Sequence, residues 1–240
     1  MRVQALAAAV ATAVALATVP AGVARAADVT DGLALWYRLD AASGSVATDS
    51  SGRGRHGTVL GAATWQPGEG LRFNGTDTYV AVPDNVMSGL TSITVAMDVF
   101  VDPAQATPYF IYGFGNSSGG AGNGYLFATG DQLRTAIASG NWSTEQNTRP
   151  AGGSLQRGAW KHLAYTQTGT TGVLYQDGVE VARNPNVTIT PGSIGGGVTT
   201  ANYIGRSLYS ADRYFRGGVR DFRVYDRALG AAEVDQLAAR

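Results

Sequence analysis

Phe215-Arg216-Gly217-Gly218-Val219-Arg220-Asp221-Phe222-Arg223-Val224-Tyr225-Asp226-Arg227-Ala228-Leu229 stands close to the C-terminus. Alternation from Val219 to Tyr225 predicts one strand, with Phe222 and Val224 on one face and Val219, Asp221, Arg223 and Tyr225 on the other. The Gly217-Gly218 pair breaks the chain before it, and Asp226 opens the turn after it. A strand this late in the chain pairs with strands made much earlier, so the Asp221 carboxylate meets a partner from elsewhere. The expected partner is the glycine-rich stretch Asp49-Ser50-Ser51-Gly52-Arg53-Gly54-Arg55-His56-Gly57, joined to it through a calcium ion.

At the other end, an apolar run from Ala5 to Val19 follows Arg2 and leads to Pro20 and Ala24-Arg25-Ala26. This is the form of a secretory signal peptide over residues 1–26, which leaves residues 27–240 as one secreted domain. As a membrane anchor the run is too short and too weakly apolar, and no other segment reads as a span. The whole chain carries 18 basic and 18 acidic residues, and loss of the leader removes Arg2 and Arg25. With no basic surplus, nucleic acid is excluded as the expected partner. Glycine is abundant at 33 residues and only 15% of residues are charged, a composition of strands and tight turns. Cysteine is absent, so a secreted domain of this kind relies on its core, or on metal ions, for stability. Lys161 is the single lysine, an arginine bias expected of a high-GC bacterial source.

The stretches in between read as strands. Leu33 to Leu39, Ser92 to Phe100 and Trp160 to Thr166 alternate, and Asn202 to Gly205 is a short strand. Hairpins are expected for Gly70–Gly75 with Thr78–Pro83, for Tyr125–Ala128 with Gln132–Ile137, and for Gly172–Gln176 with Val179–Ala182 across Asp177-Gly178. Asn116 to Gly124 reads as a loop, as does Ser139 to Gly153. Gly230-Ala231-Ala232-Glu233 starts a short terminal helix with a capping glutamate. The fold class is therefore all-β, a two-sheet antiparallel sandwich of jelly-roll type with a C-terminal helix.

Seven pieces occur in one order along the chain. They are Leu35 to Leu39, Asp49 to Gly57, Phe73-Asn74-Gly75-Thr76-Asp77-Thr78-Tyr79-Val80 and Ser92 to Val95. Trp160 to Ala164, Leu174-Tyr175-Gln176-Asp177-Gly178-Val179, and Gly217 to Leu229 with Glu233 complete them. In this the chain resembles the LamG-like jelly-roll family of the concanavalin A-like lectin/glucanase group, over essentially the whole of residues 27–240. Gln176 and Gly230 depart from the family pattern. The resemblance implies stacked antiparallel sheets, a binding rather than a catalytic role, and a structural calcium between such a loop and the last strand.

The metal set expected from hard oxygen donors is the carboxylates of Asp49 and Asp221 with the carbonyls of Gly54 and His56, the imidazole taking no part. The competing reading has Asp49 capping its own turn and Asp221 pairing with Arg38 or Arg223. For sugar, an aromatic platform with polar neighbours is expected among Tyr112, Tyr125, Arg134 and Trp142, against the alternative that such rings fill a core. Trp36 and Trp160 read as core, and His162 as an ordinary strand residue. Catalysis has little support. A glycosidase needs two carboxyl groups about 5 Å apart or more, and the only Asp/Glu pair two residues apart is Glu233 and Asp235, on the terminal helix. The expected function is a secreted, non-catalytic polysaccharide- or glycan-binding domain. The alternatives are a module binding an extracellular protein, or an accessory domain of a larger secreted glycoside hydrolase.

Overall fold

The computed structural model describes residues 28–239; the leader expected over residues 1–26 lies outside them. In chain order the strands are β1 (Leu33–Tyr37), β2 (Val46–Ala47), β3 (Gly57–Leu60), β4 (Thr64–Gln66), β5 (Gly70–Asn74), β6 (Tyr79–Ala81), β7 (Ile93–Val101) and β8 (Tyr112–Ser118). They continue with β9 (Ala121–Thr129), β10 (Arg134–Ala138), β11 (Gln146–Thr148), β12 (Trp160–Thr168), β13 (Thr171–Gln176), β14 (Val179–Asn184), β15 (Ala201–Ile204) and β16 (Arg216–Tyr225), before helix α1 (Ala231–Ala238).

These strands form two eight-stranded sheets. The first runs β14-β13-β12-β7-β16-β5-β4 with β1 also on β16, and the second runs β11-β10-β9-β8-β15-β6-β3-β2. Their facing sides meet in one core that includes Leu35, Tyr37, Phe73, Val99, Phe114, Ile137 and Phe222. Burial of such side chains contributes about 1.5–3 kcal/mol each relative to exposure. Helix α1 covers part of the outer face of the first sheet, where Val234 and Leu237 pack with Trp36, Ala96, Ala164 and Tyr225. Gly230 caps the helix, its N–H donating to Glu233 Oε2 at 2.9 Å. No helix among the described residues is long and apolar enough to cross a membrane.

The last strand is central, as its sequence predicts, but strict alternation fails within it. Val219 lies in the core together with Phe222 and Val224, not opposite them. The register of β16 against β7 shifts between Arg220 and Arg223, and Asp221 takes φ 50°. A β-bulge adds one residue, so Arg220 and Asp221 both leave the core side. The bulge falls where the neighbour along one edge changes: β5 pairs with Arg216 to Val219, and β1 with Phe222 to Tyr225.

Three other expectations are corrected, one of them the loop from Ser139 to Gly153, within which β11 pairs with β10. The stretches around Asn74-Gly75 form no hairpin, because β5 pairs with β4 and β16 whereas β6 pairs with β3 and β15 in the other sheet. Asn74 Oδ1 accepts the backbone N–H of Thr76, Asp77 and Thr78, closing a compact turn that hands the chain between sheets. Residues 116–124 are not a loop but the tip of the β8–β9 hairpin, with Gly119 and Gly120 in the left-handed region. The hairpins β9–β10 and β13–β14 form as expected.

Candidate functional site

The glycine-rich loop and the last strand do meet, on either side of β1. Tyr37 bridges to Asp49 on one edge, and Trp36 pairs with Arg223 on the other. Trp36 touches both carboxylates: its backbone N–H donates to Asp49 Oδ1 at 3.0 Å and its indole Nε1–H to Asp221 Oδ1 at 2.6 Å. Asp49 Oδ1 also accepts Ser51 N at 2.9 Å, while Oδ2 accepts Ser51 Oγ at 2.8 Å and Arg55 N at 2.9 Å. Burial alone would raise the Asp49 pKa; the hydrogen bonds from Ser51, Trp36 and Arg55 outweigh it and hold the carboxyl below its ordinary value.

This donor set does not fit a calcium site. A carboxylate has about four lone-pair positions, and at Asp49 four N–H and O–H donors occupy them. Asp221 Oδ1 additionally accepts Arg223 Nε at 2.9 Å, and Arg223 pairs with Asp28 at 2.5 Å. The loop therefore closes on the last strand through Trp36 and a buried guanidinium, as the competing reading had it for Asp49 and for Asp221 with Arg223. His56 Nδ1 accepts Asp49 N at 3.1 Å, a further bond across the turn. Gly54 supplies the tight turn, at φ 70°. No group of three or more His, Cys, Asp or Glu residues suited to a metal ion occurs among the described residues.

Beside this joint, an open groove of about 780 Å³ crosses the outer face of the first sheet, lined by Trp36, Arg38, Asp98, Arg220, Asp221 and Arg223 among others. Two of its acids, Asp98 and Asp221, are paired with arginine. Asp98 meets His162 Nδ1 and Arg220 Nε, both at 2.9 Å. Burial raises the Asp98 pKa, but His162 and Arg220 together bring it below the ordinary value. Trp36 lies beneath Arg38 and Arg223, whose guanidinium carbons stand 4.3 and 4.1 Å from its ring. Trp160, read from sequence as core, is half-buried on this face under Arg72 and Arg220.

The four residues named for sugar separate. Tyr112 is a correction: it lies on the inner face, wholly buried against Phe114 and Phe222, because β8 alternates and Gly113 and Gly115 take the outer positions. Tyr125 and Arg134 are on the outer face of the second sheet, yet both are committed to Glu145. Tyr125 donates to Glu145 Oε1 at 2.9 Å, and Arg134 pairs with Glu145 Oε2 and donates to Asn147 Oδ1 at 2.7 Å. Glu145 ends the 3-10 turn Trp142–Thr144, its N–H returning to Trp142 O at 3.3 Å. Tyr125 and Arg134 thus brace the turn that carries Trp142. Asn141 Oδ1 accepts Ser143 N and Oγ, and Thr144 Oγ1 donates to Asn141 O. The loop's polar groups are spent internally, and the Trp142 indole is left 71% exposed.

Sequence reasoning missed a second aromatic group on this outer face. Phe110 stacks on Phe127 at 3.9 Å, with Leu208 and Tyr209 beside them. Next to these, Tyr79, Tyr203 and Tyr214 gather around Arg206. The alternation Tyr79-Val80-Ala81 was a visible signal for the first ring; the return of residues 206–214 over the sheet was not.

Solved structures share this architecture. Domain 4 of AbnA, a GH43 extracellular arabinanase from Geobacillus stearothermophilus solved with arabinotriose, aligns with TM-score 0.67 and 22% identity, covering 86% of this chain and 98% of that one. A mutant Trypanosoma rangeli sialidase with trans-sialidase activity aligns with TM-score 0.63 and 21% identity over 89% of this chain, which spans 33% of the sialidase. The receptor-binding domain of a botulinum neurotoxin C/D mosaic serotype aligns with TM-score 0.60 at 9% identity, covering 88% of this chain and 52% of that one. At these identities the likeness establishes the fold alone. No curated protein matches the chain in sequence. The family model of the concanavalin A-like lectin/glucanases superfamily matches residues 74–235, and with the two-sheet architecture above this makes the chain a member of that superfamily.

Proposed function

We propose that this chain is a secreted, non-catalytic carbohydrate-binding domain that takes neutral polysaccharide on the Trp142 platform. The observation that carries the reading is the indole itself: 71% exposed, yet held on a turn fixed by Asn141, Thr144 and Glu145. An exposed aromatic ring carried on a fixed turn offers the apolar face of a sugar a stacking surface. The fold shared with a domain solved with arabinotriose supports a glycan as partner. The pairing of Asp98 with His162 and Arg220 makes that groove acid a poor general acid for a glycosidase, which needs a raised pKa. Secretion rests on the leader over residues 1–26.

The test is retention on a panel of insoluble and soluble polysaccharides, arabinan included. The wild-type chain is expected to bind at least one. Trp142→Ala should weaken that binding about ten-fold, the equivalent of one stacked ring, with an unchanged melting temperature. Retention of no glycan, or retention indifferent to Trp142→Ala, sinks the platform; an adhesion module predicts the former.

A further inference from the structure

We propose that Arg206, with Tyr79, Tyr203 and Tyr214, forms a second subsite that recognises a carboxylate-bearing sugar such as a uronate or a sialate. The inference rests on the reading of the chain as glycan-binding, though not on Trp142. In sheet order, β10, which leads into the Trp142 turn, is three strand positions from β15. At the usual strand spacing that is about 14 Å.

The cluster follows from the pleat. Val80 and Ile204 point into the core, so Tyr79 on β6 and Tyr203 on β15 point outward. Tyr203 is directly opposite Ala81, which makes Tyr79 its diagonal neighbour, and the two rings meet edge to face at 5.5 Å. Gly205 turns the chain immediately after β15 with φ 83°, where a Cβ would stand 2.4 Å from the Phe73 ring. The chain then returns over the sheet to Tyr214. The Arg206 guanidinium lies 4.8 Å from the Tyr203 ring, 4.9 Å from Tyr79 and 5.9 Å from Tyr214.

Arg206 is half-buried without a counter-ion, as is Arg55 in the glycine-rich loop, and only Arg206 is enclosed by three rings. Other half-buried arginines on the outer faces each meet an acid: Arg72 with Glu69, Arg134 with Glu145, Arg220 with Asp98, Arg227 with Glu233. Among the described residues Arg206 has no carboxylate within ion-pair distance, and its contacts are the three rings. Aromatic faces stabilise the cation without consuming its in-plane N–H donors. That fork fits one planar carboxylate in a bidentate pair, and a single guanidinium matches a single negative charge. The hydroxyls of Tyr79, Tyr203 and Tyr214 add donors and acceptors for sugar hydroxyls around it. The three rings hold the charge from their faces, and no acid among the described residues takes up its in-plane N–H groups.

Calorimetric titration of the full chain with trigalacturonate and with its methyl ester isolates the charge, because the ester keeps the sugar shape. Sialyllactose against its sialic acid methyl ester makes the same comparison for nine-carbon acids. For at least one pair, the acid is expected to bind about ten-fold tighter than its neutral counterpart, the worth of a charge-assisted hydrogen-bonded pair, with affinity falling as salt rises. Arg206→Gln should erase the preference, and Arg206→Lys, which keeps charge without the fork, should restore part of it. Equal affinity for acid and neutral partner in both pairs, no binding of any of the four, or a preference that survives Arg206→Gln in a folded variant overturns the proposal. The two readings fail separately. Trp142-dependent retention of neutral polysaccharide without acid preference removes only the Arg206 subsite; acid preference with retention indifferent to Trp142→Ala removes only the platform.

Discussion

Arg223 and Arg206, on opposite outer faces of the sandwich, are held in opposite ways. On the first sheet Arg223 is buried, its side chain 2% exposed, between Asp28 and Asp221, and Arg220 is tied to Asp98. On the second sheet Arg206 stands among three tyrosines with no acid, and Trp142 lies open on a braced turn. A guanidinium that is desolvated has to be neutralised from within the fold, and it then serves stability. One that is cushioned by aromatic faces keeps its donors for a visitor. Arg223 ties the last strand to Asp28 ahead of β1, whereas Arg206 is held by rings alone.

The contrast breaks most visibly at Arg223. Arg223→Met should remove the guanidinium shared by Asp28 and Asp221 beside Trp36 and cost about 3 kcal/mol, the lower end for a buried pair broken on one side. For a chain of this size that lowers Tm by roughly 6–12 °C. Arg206→Gln, which loses only ring contacts, should cost about 1 kcal/mol or less. Thermal melts of the two variants side by side decide the matter; equal losses would erase the distinction between the faces.

Asp49→Asn is expected to come between them, at about 2 kcal/mol, because the amide cannot accept on both atoms and one N–H group of Trp36, Ser51 or Arg55 is left without a partner. The pH dependence gives an independent reading. Asp49 has a lowered pKa in the fold, so its stabilisation is complete above the ordinary carboxylate pKa of about 3.9. It is lost as pH falls through the lower folded value. Melts taken downward from pH 5 should therefore bring wild type and Asp49→Asn together; curves that stay parallel would detach the carboxylate from the joint.

How far this could be read from residues alone differs between the two faces. The joint was half legible: Asp49 in a glycine-rich turn and Asp221 in a late strand are local signals, and the loop and strand do converge on β1. Their chemistry was not legible, since an Asp that binds calcium and one that caps backbone N–H groups share the same Asp-Ser-Ser-Gly string. Only the positions of Trp36 N and Arg55 N separate the two. The bulge at Arg220-Asp221 was hidden for a similar reason. Period-two alternation has no mark for one added residue, so Val219 was placed on the wrong side. Trp142 was visible as a polar-loop aromatic, whereas the Arg206 cluster joins residues 79, 203, 206 and 214. That grouping exists only once β6 and β15 are neighbours.

The smallest effect is the one that tests the joint's chemistry. If the loop closes by donation into Asp49 and Asp221, then added chelator should leave Tm where it was, within the error of the scan. The two possible bonds to the loop have opposite requirements. A cation needs oxygen lone pairs turned inward, whereas here Trp36, Ser51 and Arg55 turn N–H and O–H groups toward the same carboxylate. Replacing those donors with an ion would orphan three backbone N–H groups, each costing about 1–3 kcal/mol when buried, before any ligand bond formed. A chelator-induced fall of several degrees, abolished in Asp221→Ala, would mean that the loop rearranges around an ion. An unchanged melt in chelator, set beside the expected loss in Asp49→Asn, would leave hydrogen bonding as the force that closes the N-terminal loop on the last strand.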